Sequence, residues 1–75
     1  MKLKVIDIGL STGGPYVAVL HIEDARKFDL HPLDRIKISC KHHSIIAVVN
    51  ISEHDKQIKK GSIGLFEEII HRLSE

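Results

Sequence analysis

The sequence predicts a small, mainly β domain with two short helices, built from a β-β-α-β unit that occurs twice. Two observations predict it. The chain nearly repeats itself at an offset of 43 residues, Lys4-Val5-Ile6-Asp7-Ile8 lining up with Ala47-Val48-Val49-Asn50-Ile51. Without a gap, Leu20, Ile22, Asp24 and Leu30 then fall on Ile63, Leu65, Glu67 and Leu73. A unit of this size cannot bury its own apolar face and must pack against its copy. The second observation is that residues 16–22 carry apolar side chains on both faces, Val17 and Val19 on one, Ala18, Leu20 and Ile22 on the other. Such a strand suits a barrel or sandwich better than an open sheet.

Each element has local grounds. Residues 3–8 are a β-rich run. Residues 9–15 hold three glycines and Pro15, which is loop chemistry, since glycine admits positive φ and proline lacks a ladder donor. Residues 23–30 read as a short helix, with Glu23 and Asp24 complementing its dipole and Ala25 and Phe28 on one face. His31-Pro32 ends it, because the residue before a proline avoids the α region. Pro32 and Asp34 define the turn into residues 35–40, a strand with Ile36 and Ile38 inward. Lys41-His42-His43-Ser44 is a polar hinge, and residues 45–51 answer as the partner strand of a hairpin. Residues 52–60 form a polar connection with no apolar period, and Gly61 and Gly64 bracket a short extended piece, Ser62-Ile63. Leu65, Phe66, Ile69, Ile70 and Leu73 then make one helical stripe, with Glu67 and Glu68 at its start and His71 and Arg72 at its end. The expected core is Val5, Ile8, Val19, Leu20, Leu30, Ile36, Ile38, Ile46, Val48, Ile51, Ile63, Leu65, Ile69 and Leu73.

Composition narrows the function classes. At 75 residues the chain is expected to be one domain, residues 1–75, with pseudo-repeats 3–38 and 46–75. A chain of this size buries only roughly 60% of its unfolded surface, so its margin of stability is thin. Cys40 is the only cysteine, which excludes an intramolecular disulfide and points to a reducing, cytoplasmic setting. Eleven Lys and Arg against ten Asp and Glu leave a net charge of +1, so no strong field recruits nucleic acid or membrane. Three aromatics, Tyr16, Phe28 and Phe66, leave the core to aliphatic packing.

The element order is therefore β-β-α-β, then β-β-α. Two tandem β-β-α-β units describe a six-stranded double-psi β-barrel, whose halves interlock about a pseudo-twofold axis. Here the fold is double-psi-like with its last strand missing, because the second copy reaches Glu75 before the counterpart of residues 33–38. The chain thus reads as the opening portion of a longer protein. Standing alone, it is expected to fray at the last helix or to exchange a strand with a neighbour, since an unpaired strand edge templates pairing.

Val19-Leu20-His21-Ile22-Glu23-Asp24-Ala25-Arg26, then Leu30-His31-Pro32-Leu33-Asp34-Arg35-Ile36-Lys37-Ile38, resembles the N-terminal domain of the archaeal AMP phosphorylases, of the thymidine phosphorylase family. Gly61-Ser62-Ile63-Gly64-Leu65-Phe66-Glu67-Glu68 resembles a second signature of that domain. The likeness covers residues 3–8, 17–38 and 61–73. Leu33 departs from it, standing where related barrels often carry a glycine before the aspartate. The resemblance implies a parent enzyme that cleaves a nucleotide's glycosidic bond with phosphate in nucleotide salvage. It implies that the binding and catalytic residues lie in domains beyond this barrel, so no catalytic, cofactor-binding or metal-ligating residue and no cofactor is assigned here. It further implies a role in assembly: the expected partners are copies of itself, in a homo-oligomer, and the rest of the parent enzyme.

Four places suggest sharper chemistry. Cys40-Lys41-His42-His43, with His54 and Asp55 downstream, suggests a metal, but adjacent histidines on an extended segment point to opposite faces. Cys40 itself is expected to be a strand-end residue of ordinary reactivity. Residues 9–14 suggest a phosphate loop, yet they lack the Gly-Lys-Ser/Thr ending and a strand rather than a helix follows. Gly61-Ser62 matches the dipeptide at which aspartate decarboxylase, another double-psi barrel, cleaves itself, though a plain strand start explains it. Two alternative functions stand beside assembly. A swapped-hairpin DNA-binding regulator would need clustered cations, whereas Arg26, Lys27, Lys37, Lys41, Lys56, Lys59 and Lys60 are scattered among acids. A protein-recognition barrel module would need an exposed apolar groove.

Overall fold

Seven elements follow one another in the computed structural model, which describes residues 2–53 and 57–74. They are β1 (Lys4–Asp7), β2 (Val17–His21), α1 (Ile22–Lys27), β3 (Arg35–Cys40), β4 (His43–Ser52), β5 (Ser62–Leu65) and α2 (Glu67–Ser74). The strands form one curled sheet in the order β1-β5-β2-β4-β3. The fold is mainly β with two helices and barrel-like, as the strand and helix patterning predicts.

The sheet is mixed in an orderly way. β1 runs parallel to β5 and β4 parallel to β2, while β2 and β5 cross at its centre as an antiparallel pair. The two parallel seams are built alike. The Lys4 N–H donates to the Gly61 carbonyl at 2.9 Å, and the Val48 N–H donates to the Tyr16 carbonyl at 2.9 Å. Lys4 and Val48 are 44 residues apart, and the helix starts Ile22 and Glu67 are 45 apart. The spatial correspondence is therefore one to two residues longer than the ungapped offset of 43 residues.

That small difference decides which face is core. A one-residue slip moves every side chain of a strand to the other face. β4 buries Ile45, Ala47 and Val49, whereas Ile46, expected inside, is 56% exposed and Val48 is only half-buried. The run from Ile45 to Val49 is apolar at every position, so alternation gives no parity to read. Of the other expected core residues, Leu20, Ile63, Leu65 and Ile69 are buried; Ile8, Val19, Leu30, Ile36, Ile38, Ile51 and Leu73 are half-buried, and Val5 is exposed. Ala18, Ala25, Val49 and Ile58 are buried positions that the pattern did not reveal. Each fully enclosed Leu or Ile contributes about 1.5–3 kcal/mol of transfer free energy.

The helices are shorter than expected, for local reasons. His21 caps α1, its Nδ1 accepting the Glu23 N–H at 3.1 Å. The helix ends at Lys27 rather than at Leu30, because Asp29 takes φ 54° and the Leu30 N–H turns back to the Ala25 carbonyl at 2.8 Å. The backbone thus stops the helix before His31-Pro32 is reached. α2 begins at Glu67, since Leu65 belongs to β5 and is fully buried there. Its remaining stripe packs inward, with Ile69 buried and Ile70 and Leu73 against the core.

Two connections explain how the elements meet. In the turn from α1 to β3, the Asp34 carboxylate accepts the His31 N–H at 2.8 Å, and the Asp34 N–H donates to the His31 carbonyl at 3.1 Å. Pro32 sits inside that turn. The hinge between β3 and β4 is tight: Cys40 pairs with His43, leaving Lys41-His42 as the turn, so β4 begins two residues before Ile45. The connection into β5 is less polar than its sequence suggests, because Ile58 is buried. A Cβ on Gly64 would lie 2.5 Å from Ile58 Cδ1 and 3.0 Å from Ile8 Cδ1, so glycine there permits close approach.

Candidate functional site

The sheet curls until its two outer strands, β1 and β3, face each other across an apolar opening. Val5 comes from β1 and Leu3 from just before it, Ile36 and Ile38 from β3, and Leu73 from α2, with Leu20 and Ile63 behind them. They line a cavity of about 260 Å³. A second hollow of about 490 Å³ adjoins it, between Val5, Leu73 and the Cys40–His43 hairpin. Among the described residues no strand pairs with the outer edge of β1. The hydrogen bonds from Lys4 and Ile8 to β5 turn the backbone groups of Leu3, Val5 and Asp7 outward by alternation.

The matched position on β4 shows what that edge lacks. Val49 donates its N–H to the Asp34 carbonyl at 2.7 Å and accepts the Leu33 N–H at 2.9 Å. Its side chain is 1% exposed. Val5, which follows Lys4 as Val49 follows Val48, is 50% exposed.

A second polar feature ties the loop between β1 and β2 to α2. The Glu68 carboxylate accepts the Ser11 hydroxyl, the Thr12 N–H at 3.1 Å and the Gly13 N–H at 3.0 Å. The Glu67 N–H donates to the Leu10 carbonyl at 2.9 Å. The Ser11 hydroxyl, then the Thr12 N–H, stabilise the charged carboxylate and hold its pKa down at about 2. The glycine-rich loop does present convergent donors, as a phosphate loop would, but they are occupied by the chain's own acid. The signal was in the sequence: a glutamate in the first turn of a helix is a natural anion for such a loop.

Glu23 and Asp24, 45 and 44 positions before Glu68, make the counterpart contact. Glu23 on α1 pairs with Lys60 at 2.9 Å, and Asp24 accepts the Gly61 N–H at 2.7 Å. Each helix therefore uses a first-turn acid to hold the segment that leads into a strand of the other half.

The residues singled out for chemistry do not converge. Cys40 and His43 are neighbours across the hairpin, Cys40 exposed and His43 half-buried, while His42 occupies the turn. His54 and Asp55 lie outside the described residues. Among the described residues no three His, Cys, Asp or Glu side chains are grouped to hold a metal ion. Ser62 is buried behind Gly61, whose N–H is engaged by Asp24. The cations lie on different elements: Arg26 and Lys27 on α1, Lys37 on β3, Lys41 in the hairpin turn, and Lys59 and Lys60 before β5. Lys56 lies outside the described residues. Among those residues, no helix is long and apolar enough to cross a membrane.

Comparison with known proteins adds a kinship. The whole chain aligns, at 35% identity over 75 residues, with 14% of an AMP phosphorylase from Methanococcoides burtonii. This chain is a relative of the AMP phosphorylases. An AMP phosphorylase from Methanothrix thermoacetophila aligns at 32% identity over 62 residues, 83% of the chain and 12% of that protein. The chain thus spans about one-seventh of the length of the AMP phosphorylases it matches. No family model matches it. Leu33 takes φ 74°, a left-handed conformation that glycine adopts more readily than leucine, and it is 80% exposed.

Proposed function

We propose that this chain is the non-catalytic N-terminal assembly domain of an AMP phosphorylase, an enzyme that cleaves the glycosidic bond of AMP with phosphate. The domain comprises residues 1–75, with the halves 3–38 and 46–75, and it works in the cytoplasm by self-association. The observation that carries the reading is the alignment of the full chain with 14% of an AMP phosphorylase. The scatter of the candidate chemical residues agrees with it, because catalysis requires acid, base or anion-binding groups held within hydrogen-bond reach of one substrate. The chain contributes no catalytic residue, no cofactor and no metal ligand, and among the described residues the cations lie on different elements rather than in the cluster that nucleic acid needs.

The test uses the full-length parent and a form lacking residues 2–75. Light scattering reads subunit number, and phosphate-dependent release of adenine from AMP reads turnover. The expected result is a smaller assembly that keeps its turnover per subunit. Loss of turnover with the assembly intact would overturn the reading.

A further inference from the structure

We infer that this chain pairs with a second copy about a twofold axis, Leu33 of each copy entering the cleft beside the α1–β3 turn of the other. Such pairing deepens the assembly reading proposed above, and rests on it for the expectation that copies associate. Leu33 is costly where it stands. It holds φ 74°, which disfavours any residue with a Cβ, and at 80% it is the most exposed of the large apolar residues described. Its N–H donates to the Val49 carbonyl while the Val49 N–H donates to the Asp34 carbonyl. Leu33 and Asp34 thus face one residue of β4, a bulge whose first position suits glycine. A leucine that loses on backbone and on solvation is accounted for by an apolar surface that covers it.

A receptive surface lies next to it. Leu30 and Pro32, with Ile22 and Ile51, form the apolar wall of a cleft of about 350 Å³. Leu33 does not line this cleft, although Pro32 directly before it does. Knob and hollow therefore share one side of the molecule without meeting inside one chain. A twofold axis satisfies that arrangement, because residue i of one copy then meets j of the other and j meets i.

Charge selects the same occupant. Arg26 and Glu53 line the cleft, both exposed and of opposite sign. His31, the third titratable liner, already faces the Asp34 carboxylate at 3.6 Å. A rim with one cation and one anion complements itself about a twofold, Arg26 of each copy meeting Glu53 of the other. A uniformly acidic or basic partner would set like charges together at one of these positions.

The test reads solution mass against concentration for the 75-residue chain by sedimentation equilibrium. The expected result is a reversible dimer that Leu33→Gly weakens at least about tenfold. Glycine suits φ 74°, so in dilute solution this variant should melt no lower than the natural chain, which separates lost pairing from lost folding. Two charge variants separate contacts between copies from contacts within one. Arg26→Glu and Glu53→Arg should each be monomeric, since each sets like charges against one another across the axis. Mixed in equal amounts, they should recover the dimer mass, because every facing pair is then of opposite sign. A natural chain that stays monomeric at every concentration would overturn the pairing. So would a Leu33→Gly chain that associates as tightly as the natural one, or a mixture that stays monomeric. The assembly reading is decided by a different experiment, deletion of residues 2–75 from the parent, so its failure is distinguishable from failure here.

Discussion

The outer edges of β4 and β1 begin alike and end differently. Both strands run parallel to a partner through matched hydrogen bonds, and both present a valine one residue further on. β3 covers the first edge and encloses Val49, while Val5 stays half in water. Identical side chains at matched backbone positions thus have different energetic weight. The lesson is that burial belongs to the neighbour a strand acquires, not to the strand's own pattern.

Substitution turns that contrast into numbers. Val49→Ala should destabilise the chain by about 2 kcal/mol, from lost transfer energy and the cavity left behind. Val5→Ala should cost under about 1 kcal/mol, because half of the side chain already meets water. Equal costs in urea unfolding would break the comparison, and a rise in the Val5 cost when a strand is added would sharpen it.

The next effect tests the centre, where the halves meet. Gly64→Ala should cost about 1–2 kcal/mol, since its Cβ runs into Ile58 and Ile8 and forces them aside. Pairing it with Ile58→Val should relieve part of that cost; strict additivity of the two in a double-mutant cycle would show that they do not touch.

A gain is expected at the turn that leads into β3. Leu33→Gly should stabilise by about 0.5–1 kcal/mol, because glycine adopts φ 74° without the Cβ penalty and the exposed leucine surrenders little burial. A lower melting temperature for this variant would mean that Leu33 is covered by something in solution.

The smallest effects at neutral pH separate the two helix acids. Glu23→Gln removes an exposed pair with Lys60 and should change stability by at most about 0.5 kcal/mol, less in high salt. Glu68 differs in its pH dependence. Its folded-state pKa is held near 2, below the unfolded value, so its contribution is present above the ordinary carboxylate pKa and fades as pH falls toward about 2. Melting curves of Glu68→Gln should therefore be flatter across that acid window than those of the natural chain. An identical acid slope would mean the loop does not hold the carboxylate.

Much of this architecture is legible in the sequence. Element order, the Asp34 turn, the β3 hairpin and the α2 stripe all follow from apolar period, acid placement and proline, which act over a few residues. The site was less legible. The Glu68 clasp joins residues 57 apart, so the first-turn glutamate and the glycine-rich loop are each visible in the sequence while their pairing is not. Ile58 looked polar by its neighbours yet fills the space that Gly64 leaves.

What the sequence by itself determined is the grammar: two β-β-α halves, their strands and helices, and kinship with the AMP phosphorylases. What only the tertiary structure decided is parity and closure. Parity was open because residues 45–49 are apolar at every position, so a shift of one residue costs nothing locally and is settled by the partner strand. Closure was open because a strand's exposure depends on hydrogen bonds to segments far along the chain. Both are long-range quantities, and local pattern carries no information about them.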